Sequence, residues 1–250
     1  MPVKKATKNK VIAEDNNEII NFYELPKVQK FLTKSINPNY DKGTKHGIKV
    51  PMRGIMTAAS GGGKTNLLFN VIKNMGNTFN HIYIYTQATE PLYDYLLSQL
   101  DSDVLTIKYG IKALQDFDEK QYYGQTLVIL DDMVNEKEKD QSVIKDLYLR
   151  GRKIAGGISL LYLTQKYHSV PKFIRGQCQY FFIIKVSEVD DLKRILTEFA
   201  LSATKDQMEA MYDYCCESQK FGQFLLVDLM AGRGKMFRKN FKEILNPKDF

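Results

Sequence analysis

The sequence predicts an α/β domain over residues 51–250, a mostly parallel sheet with helices on both faces. Three observations carry this. Beyond residue 50, short β-prone apolar runs alternate with segments of helical period, the order that βαβ units impose. The central runs are apolar at nearly every position, as strands buried on both faces are. One strand-to-helix junction, Ala58 to Gly63, consists only of small residues, which allow close backbone approach.

The elements follow in order. Gly54–Thr57, His81–Thr86, Val104–Ile107, Thr126–Asp131, Ile158–Gln165, Gln179–Lys185 and Phe224–Asp228 are rich in β-branched, aromatic and leucine residues and read as strands. Between most of them, near 65–75, 91–100, 111–121, 139–150, 188–199 and 205–218, apolar residues recur at helical spacing. Residues 1–50 read as an N-terminal arm, to about residue 20, and an irregular lead-in over 21–50 that packs on the main domain. Lys4, Lys5, Lys8 and Lys10 crowd its start, and Pro38, Asn39, Gly43 and Gly47 break up the apolar stretches before the domain.

Composition narrows the class. Of 250 residues, 44 % are hydrophobic and 26 % charged, which is globular rather than disordered. No apolar run approaches the ~18–20 residues of a membrane span. The basic start MPVKKATKNK leads into no apolar core, so no secretory signal is expected. Three cysteines, Cys178, Cys215 and Cys216, suit a reducing compartment rather than a disulfide framework. With three histidines and no zinc spacing, a Cys/His metal cage is not expected. The 36 Lys+Arg exceed the 29 Asp+Glu, a net charge of +7, which favours an acidic partner and nucleic acid first.

The sharpest signal is Ala58-Ala59-Ser60-Gly61-Gly62-Gly63-Lys64-Thr65, set between an apolar strand and the helical run from Asn66. Small residues from Ala59 and Ser60 through Gly61, Gly62 and Gly63 let successive N–H groups curl around a phosphate, and the helix N-terminus adds free donors and a positive dipole end. Lys64 is expected to reach the β- and γ-phosphates of a nucleoside triphosphate, and the Thr65 hydroxyl to ligate Mg²⁺. This is a P-loop with one departure: its first glycine position is Ala58.

Thr126-Leu127-Val128-Ile129-Leu130 ends in Asp131-Asp132. Such a strand end can hold the Mg²⁺ shell through its first carboxylate and activate water through its second, so Asp131 is assigned to the metal and Asp132 to catalysis. Ile158-Ser159-Leu160-Leu161-Tyr162-Leu163-Thr164 leads to Gln165, whose neutral amide suits contact with the γ-phosphate or the lytic water. Arg150, Arg152 and Lys153 precede that strand, and a guanidinium can stabilise phosphoryl-transfer charge, often from a neighbouring subunit.

These motifs resemble a known family. The run RGRKIAGGISLLYLTQKYHSVP from Arg150 to Pro171, the SGGGKT loop and the ILDD strand are similar to the viral DNA-packaging ATPases of the FtsK–HerA superfamily. That group covers poxviruses, other nucleocytoplasmic large DNA viruses and virophages, and the resemblance spans about residues 50–230. It implies a RecA-like P-loop NTPase sheet in which the Gln165 strand lies between the loop strand and the acidic strand. It implies Lys64 and Thr65 at the nucleotide, Asp131 on Mg²⁺, Asp132 as the catalytic acidic residue and Gln165 as sensor. Arg152 is the match to the family's trans-acting arginine. The implied protein is an ATPase motor, a homo-oligomer in a hexamer-like ring. It would drive double-stranded DNA into a preformed capsid, with capsid proteins as further partners, in the host cytoplasm, a viral factory or the virion. Many superfamily members carry Glu where this chain has the shorter Asp132.

Other classes stay open on the residues alone: a small-molecule P-loop kinase, a different nucleic-acid motor, or a nucleotide-binding scaffold with little hydrolysis. Candidate DNA or partner contacts are the basic stretch from Gly232 to Lys242 with its two phenylalanines, the loop Lys166-Tyr167-His168, and the charged run Asn135–Asp140.

Overall fold

In the computed structural model the described residues are 21–22, 25–29, 46–115, 124–133, 138–154, 157–199, 202–216, 221–232 and 234–250. The chain divides into two units, Met1–Thr33 and Lys34–Phe250. In the first, the described residues include one short helix, α1 (Pro26–Gln29). The lysine-rich start and most of the lead-in lie outside the described residues.

The second unit runs β1 (Arg53–Thr57), α2 (Lys64–Asn74), β2 (His81–Thr86), α3 (Pro91–Gln99), β3 (Leu105–Tyr109), α4 (Lys112–Gln115), β4 (Thr126–Asp131), α5 (Glu138–Arg150) and β5 (Ile158–Thr164). It continues α6 (Lys172–Gln177), β6 (Tyr180–Ile183), α7 (Val189–Glu198), α8 (Lys205–Cys216), β7 (Leu225–Asp228), β8 (Phe237–Lys239) and β9 (Glu243–Leu245). The strands form one sheet in the order β3-β2-β4-β5-β1-β6-β7-β8-β9. Pairs from β3 across to β6 are parallel, and those from β6 to β9 are antiparallel. The strand leading to Gln165 therefore lies between the loop strand and the acidic strand, the order the resemblance implies.

The period-2 alternation of strand side chains divides the core between two faces. Ile55, Tyr85, Val128, Leu130, Leu160, Tyr162 and Phe181 pack against Ile144 and Leu147 of α5, Ile195 of α7 and Met208 and Met211 of α8. Met56, Ile82, Ile84, Leu127, Ile129, Leu161 and Phe182 pack against Leu67, Leu68 and Val71 of α2 and Tyr93 and Leu96 of α3. β1, β4 and β5 are buried at every position, which is why Ile55-Met56, Leu127–Leu130 and Leu160–Leu163 are uninterrupted apolar runs, although β1 also buries Arg53.

This topology creates the crevice. The chain leaving β1 enters a helix on one face, while the chains leaving β4 and β5 lead to helices packed in the opposite core. Connections that diverge to opposite faces leave an open cleft at the carboxyl ends of the strands. The strand ends are level there, with Thr57 opposite Thr164, Asp131 opposite Leu163 and Thr86 opposite Asp131.

The elements α6, β8 and β9 were not marked by the sequence reading. α6 is six residues long and anchored by Ile174, too short to show a helical period. β8 and β9 extend the sheet within the basic C-terminal segment. The helix expected at 111–121 is described as α4, and residues 116–121 lie outside the described residues.

Candidate nucleotide site

The loop between β1 and α2 is held at its root and open at its tip. Ala58 N–H donates to the Thr164 carbonyl (3.3 Å) and Ala59 N–H to the Lys185 carbonyl (2.9 Å), fixing the loop between β5 and the end of β6. Ala58 is fully buried and lacks the positive φ that demands glycine, so alanine serves at this departure from the motif. Gly62 has no room for a side chain, since a Cβ would lie 2.9 Å from the Ala59 carbonyl oxygen. Gly63 has φ 91° and forms the N-cap of α2 with no side-chain hydrogen bond to the helix. The first N–H groups of α2 therefore stay available to an anion, with the helix dipole favouring it.

Lys64, Thr65, Asp131, Asp132 and Gln165 converge with this loop on a single cleft of about 450 Å³. Lys64 Nζ lies 2.6 Å from Asp132 Oδ2 and 3.3 Å from Asp131 Oδ1. Gln165 Nε2 donates to the same Asp132 oxygen at 3.1 Å. Successive strand residues point to opposite faces, so two adjacent strand-end carboxylates ordinarily diverge. Here β4 ends at Asp131, and Asp132 takes left-handed φ 52°, with its N–H bonded to the Leu163 carbonyl at 3.0 Å. That turn brings both carboxylates to one ammonium, and Asp tolerates it better than most residues.

The structure adds residues that the sequence reading missed. Thr65 Oγ1 donates to Glu90 Oε2 at 2.8 Å, and Glu90 lines the cleft immediately ahead of α3. Tyr93 OH donates to Asp131 Oδ2 at 2.8 Å, with Thr86 Oγ1 at 3.4 Å from the same oxygen. Burial, and then the neighbouring Asp131 carboxylate, push the Tyr93 hydroxyl well above its ordinary value, so it remains a donor. Phe221 closes another part of the cleft. The one available signal for Glu90 was its position before Pro91, where a strand gives way to a helix. Only the order β2-β4 shows that this junction faces the acidic strand.

The cleft suits a divalent cation. It holds three carboxylates, Glu90, Asp131 and Asp132, against the single ammonium of Lys64. Asp131 Oδ1 is buried and accepts no hydrogen bond, facing Lys64 alone. Among the described residues no three His, Cys, Asp or Glu side chains form a metal cage by themselves. A few hard oxygen donors completed by phosphate and water are what Mg²⁺ accepts.

Arg152 is not part of this cleft. It is exposed on the turn Gly151–Lys153 that precedes β5, at the amino ends of the parallel strands. A seven-residue strand separates the two ends by roughly 20 Å. Neighbouring Arg150 pairs with Asp146 one turn back.

The other candidate contacts are largely structural. Arg238 is buried, 2.7 Å from Asp228, and also donates to the His46, Gly47 and Phe241 carbonyls. Lys239 Nζ sits 3.8 Å above the Tyr214 ring, Phe237 is core, and Phe241 packs edge-on to Phe224. Lys235 and Lys242 remain exposed, and Arg233 lies outside the described residues. Tyr167 is core, and His168 bonds Arg175, leaving Lys166 as the exposed cation of that loop, beside Glu188. The side chains of Asn135–Asp140 lie outside the described residues.

A mostly parallel sheet with a glycine loop, an acidic strand and, between them, the strand that ends in Gln165 defines the P-loop NTPase class. Within it, the family model described as poxvirus A32 protein matches residues 43–229, and the chain belongs to that family. The DNA packaging protein OPG160 of variola virus is 27 % identical over 161 residues, 59 % of this chain and 58 % of the relative; the vaccinia virus protein gives the same figures. The matched region thus spans little more than half the length of these curated relatives. Among solved structures, the DNA-packaging ATPase B204 of Sulfolobus turreted icosahedral virus superposes with a TM-score of 0.54 at 17 % identity, over 78 % of this chain and 98 % of that one. EssC (ATPases 2 and 3) from Geobacillus thermodenitrificans gives 0.52 at 13 %, over 80 % and 40 %. At these identities the likeness is one of fold. No helix among the described residues is long and apolar enough to cross a membrane.

Proposed function

We propose that this chain is an ATP-hydrolysing motor that drives double-stranded viral DNA into a preformed capsid. One observation carries the enzymatic part: Lys64, Thr65, Asp131, Asp132 and Gln165, from three adjacent strand ends, face one cleft beside an uncapped helix N-terminus. The DNA and capsid part draws its support from family membership and from relatives named for DNA packaging.

The loop N–H groups of Ser60, Gly61 and Gly63, those of Lys64 and Thr65 at the helix start, and the Lys64 ammonium bind the triphosphate, while the Ala59 and Gly62 N–H groups hold the loop's shape through the Lys185 and Ala59 carbonyls. Thr65 and Asp131 hold Mg²⁺, which when bound offsets phosphate charge, and Tyr93 and Thr86 orient Asp131. Binding of phosphate at Lys64 draws the ammonium away from Asp132. Asp132, held by Gln165, then accepts the proton of the attacking water. Arg152, about a strand length from its own cleft, acts on a neighbouring subunit's nucleotide, which requires a homo-oligomeric ring, hexamer-like by family resemblance. DNA is bound through phosphate contacts, with strong salt dependence and little sequence preference. The host cytoplasm or a viral factory is the proposed site of action.

The test is phosphate release from ATP and Mg²⁺ with and without double-stranded DNA, with Asp132→Asn as control. DNA-stimulated release that vanishes in the control is expected. Retained ATP binding with no hydrolysis under either condition would replace the motor by a nucleotide-binding scaffold. Arg152→Ala chains mixed into wild-type assemblies are expected to depress activity more than in proportion; a proportional response would refute the trans role.

A further inference from the structure

We infer that Phe221 is the platform on which the base of the bound nucleotide stacks, an inference that rests on the nucleotide reading of this cleft. Phe221 is 69 % exposed, the most exposed of the large hydrophobic residues described. Its ring is nevertheless seated against the phosphate loop, since a Cβ built on Gly63 would lie 2.9 Å from Phe221 Cζ and 3.1 Å from Cε1. The next residue, Gly222 (φ +78°), stands against the first turn of α2, where a Cβ would be 3.1 Å from Asn66 Nδ2.

The segment that carries Phe221 is anchored. Phe224 is buried, its carbonyl accepts from Asn240 N–H at 3.0 Å, and Asn240 Nδ2 donates to Gln223 Oε1 at 2.7 Å. This segment leads into β7, two strands from β1 on the side away from β5 and β4. The cleft is therefore polar in its layout. Asp131, Asp132 and Gln165 mark the flank where the terminal phosphate and water react, and Phe221 with Asn66 marks the other. A nucleoside triphosphate whose terminal phosphate lies at Lys64 extends its nucleoside toward that second flank. A phenyl ring offers a π-face without donors or acceptors, so it favours a stacked base over phosphate or water.

The experiment measures calorimetric affinity for ATP and for inorganic tripolyphosphate, in Mg²⁺, for the wild-type chain and Phe221→Ala. Stacking on one aromatic predicts a loss on the order of tenfold for ATP and no change for tripolyphosphate. Unchanged ATP affinity, or equal losses for both ligands, would overturn the platform role. Phe221→Trp gives a second readout, because the chain has no tryptophan of its own. ATP is expected to quench this single emission and tripolyphosphate to leave it unaltered; ATP that binds without changing the emission also overturns the proposal. If the wild-type chain binds neither ligand, the nucleotide reading itself falls, and the platform with it.

Discussion

Lys64 and Asp132 form an ion pair of 2.6 Å across the mouth of the cleft, joining the loop strand's helix to the end of the acidic strand. In the proposed reaction this pair occupies the groups that phosphate and water need. Asp132→Asn is therefore expected to separate binding from turnover. The amide no longer holds Lys64 by charge, so ATP should bind at least as tightly as to the wild type. Hydrolysis should fall by about 10²–10⁴, the range for loss of a general base. Calorimetry and phosphate release on the same samples check both; wild-type turnover in the variant would remove Asp132 from catalysis.

Lys64→Ala is expected to abolish hydrolysis while the fold persists, because the ammonium lies in the cleft and not in either apolar core. It should also lower the unfolding free energy by about 1–3 kcal/mol, since Asp131 then keeps a buried, uncompensated oxygen. Far-UV circular dichroism and a denaturant titration measure this. An unfolded variant would contradict the site assignment.

Arg238→Ala should be the more damaging change, although it is remote from the cleft. Its guanidinium is 2.7 Å from Asp228, with both side chains below a tenth exposed, and it also ties β8 to residues 46 and 47. Burial raises the Asp228 carboxyl despite Arg238, and removing the guanidinium leaves that carboxylate without its partner. Loss of one member of a buried pair costs about 3–5 kcal/mol. A shift in urea midpoint below 1 kcal/mol equivalent would mean that water replaces the arginine.

His168 predicts a pH dependence. Burial, and next the Arg175 guanidinium, hold its imidazole below the ordinary 6.5. Arg175 Nη1 lies 2.7 Å from His168 Nδ1, which must then be the unprotonated nitrogen. As pH falls through 6.5 the unfolded chain takes up a proton that the folded chain refuses. Stability is thus lost from that point down to the folded imidazole's own lower value, and is complete above it. Denaturation midpoints at pH 7.5 and 5.5 should differ less in His168→Asn than in the wild type.

By itself the sequence determined the α/β class, all seven strands it marked and the strand–loop–helix junction from Ala58 to Thr65. These depend on local physics: continuous apolar runs for strands buried on two faces, and small residues where backbone must approach an anion. It also marked Asp131, Asp132 and Gln165, because each ends an apolar strand and a polar strand end is visible in one dimension. Only the tertiary structure decided how these ends combine. Strand order sets Gln165 between the loop and the carboxylates, and the left-handed turn at Asp132 makes both carboxylates face Lys64. Glu90 and Phe221 line the cleft, and Tyr93 reaches Asp131 from the core, all from segments outside the motifs; apart from the place of Glu90 before Pro91, nothing local distinguishes them from ordinary helix-start, core and loop residues. The basic C-terminal stretch shows the converse. Its charges suggested a binding face, yet Arg238 is consumed by Asp228, because a partner ten residues away across an antiparallel turn appears only once the strands pair.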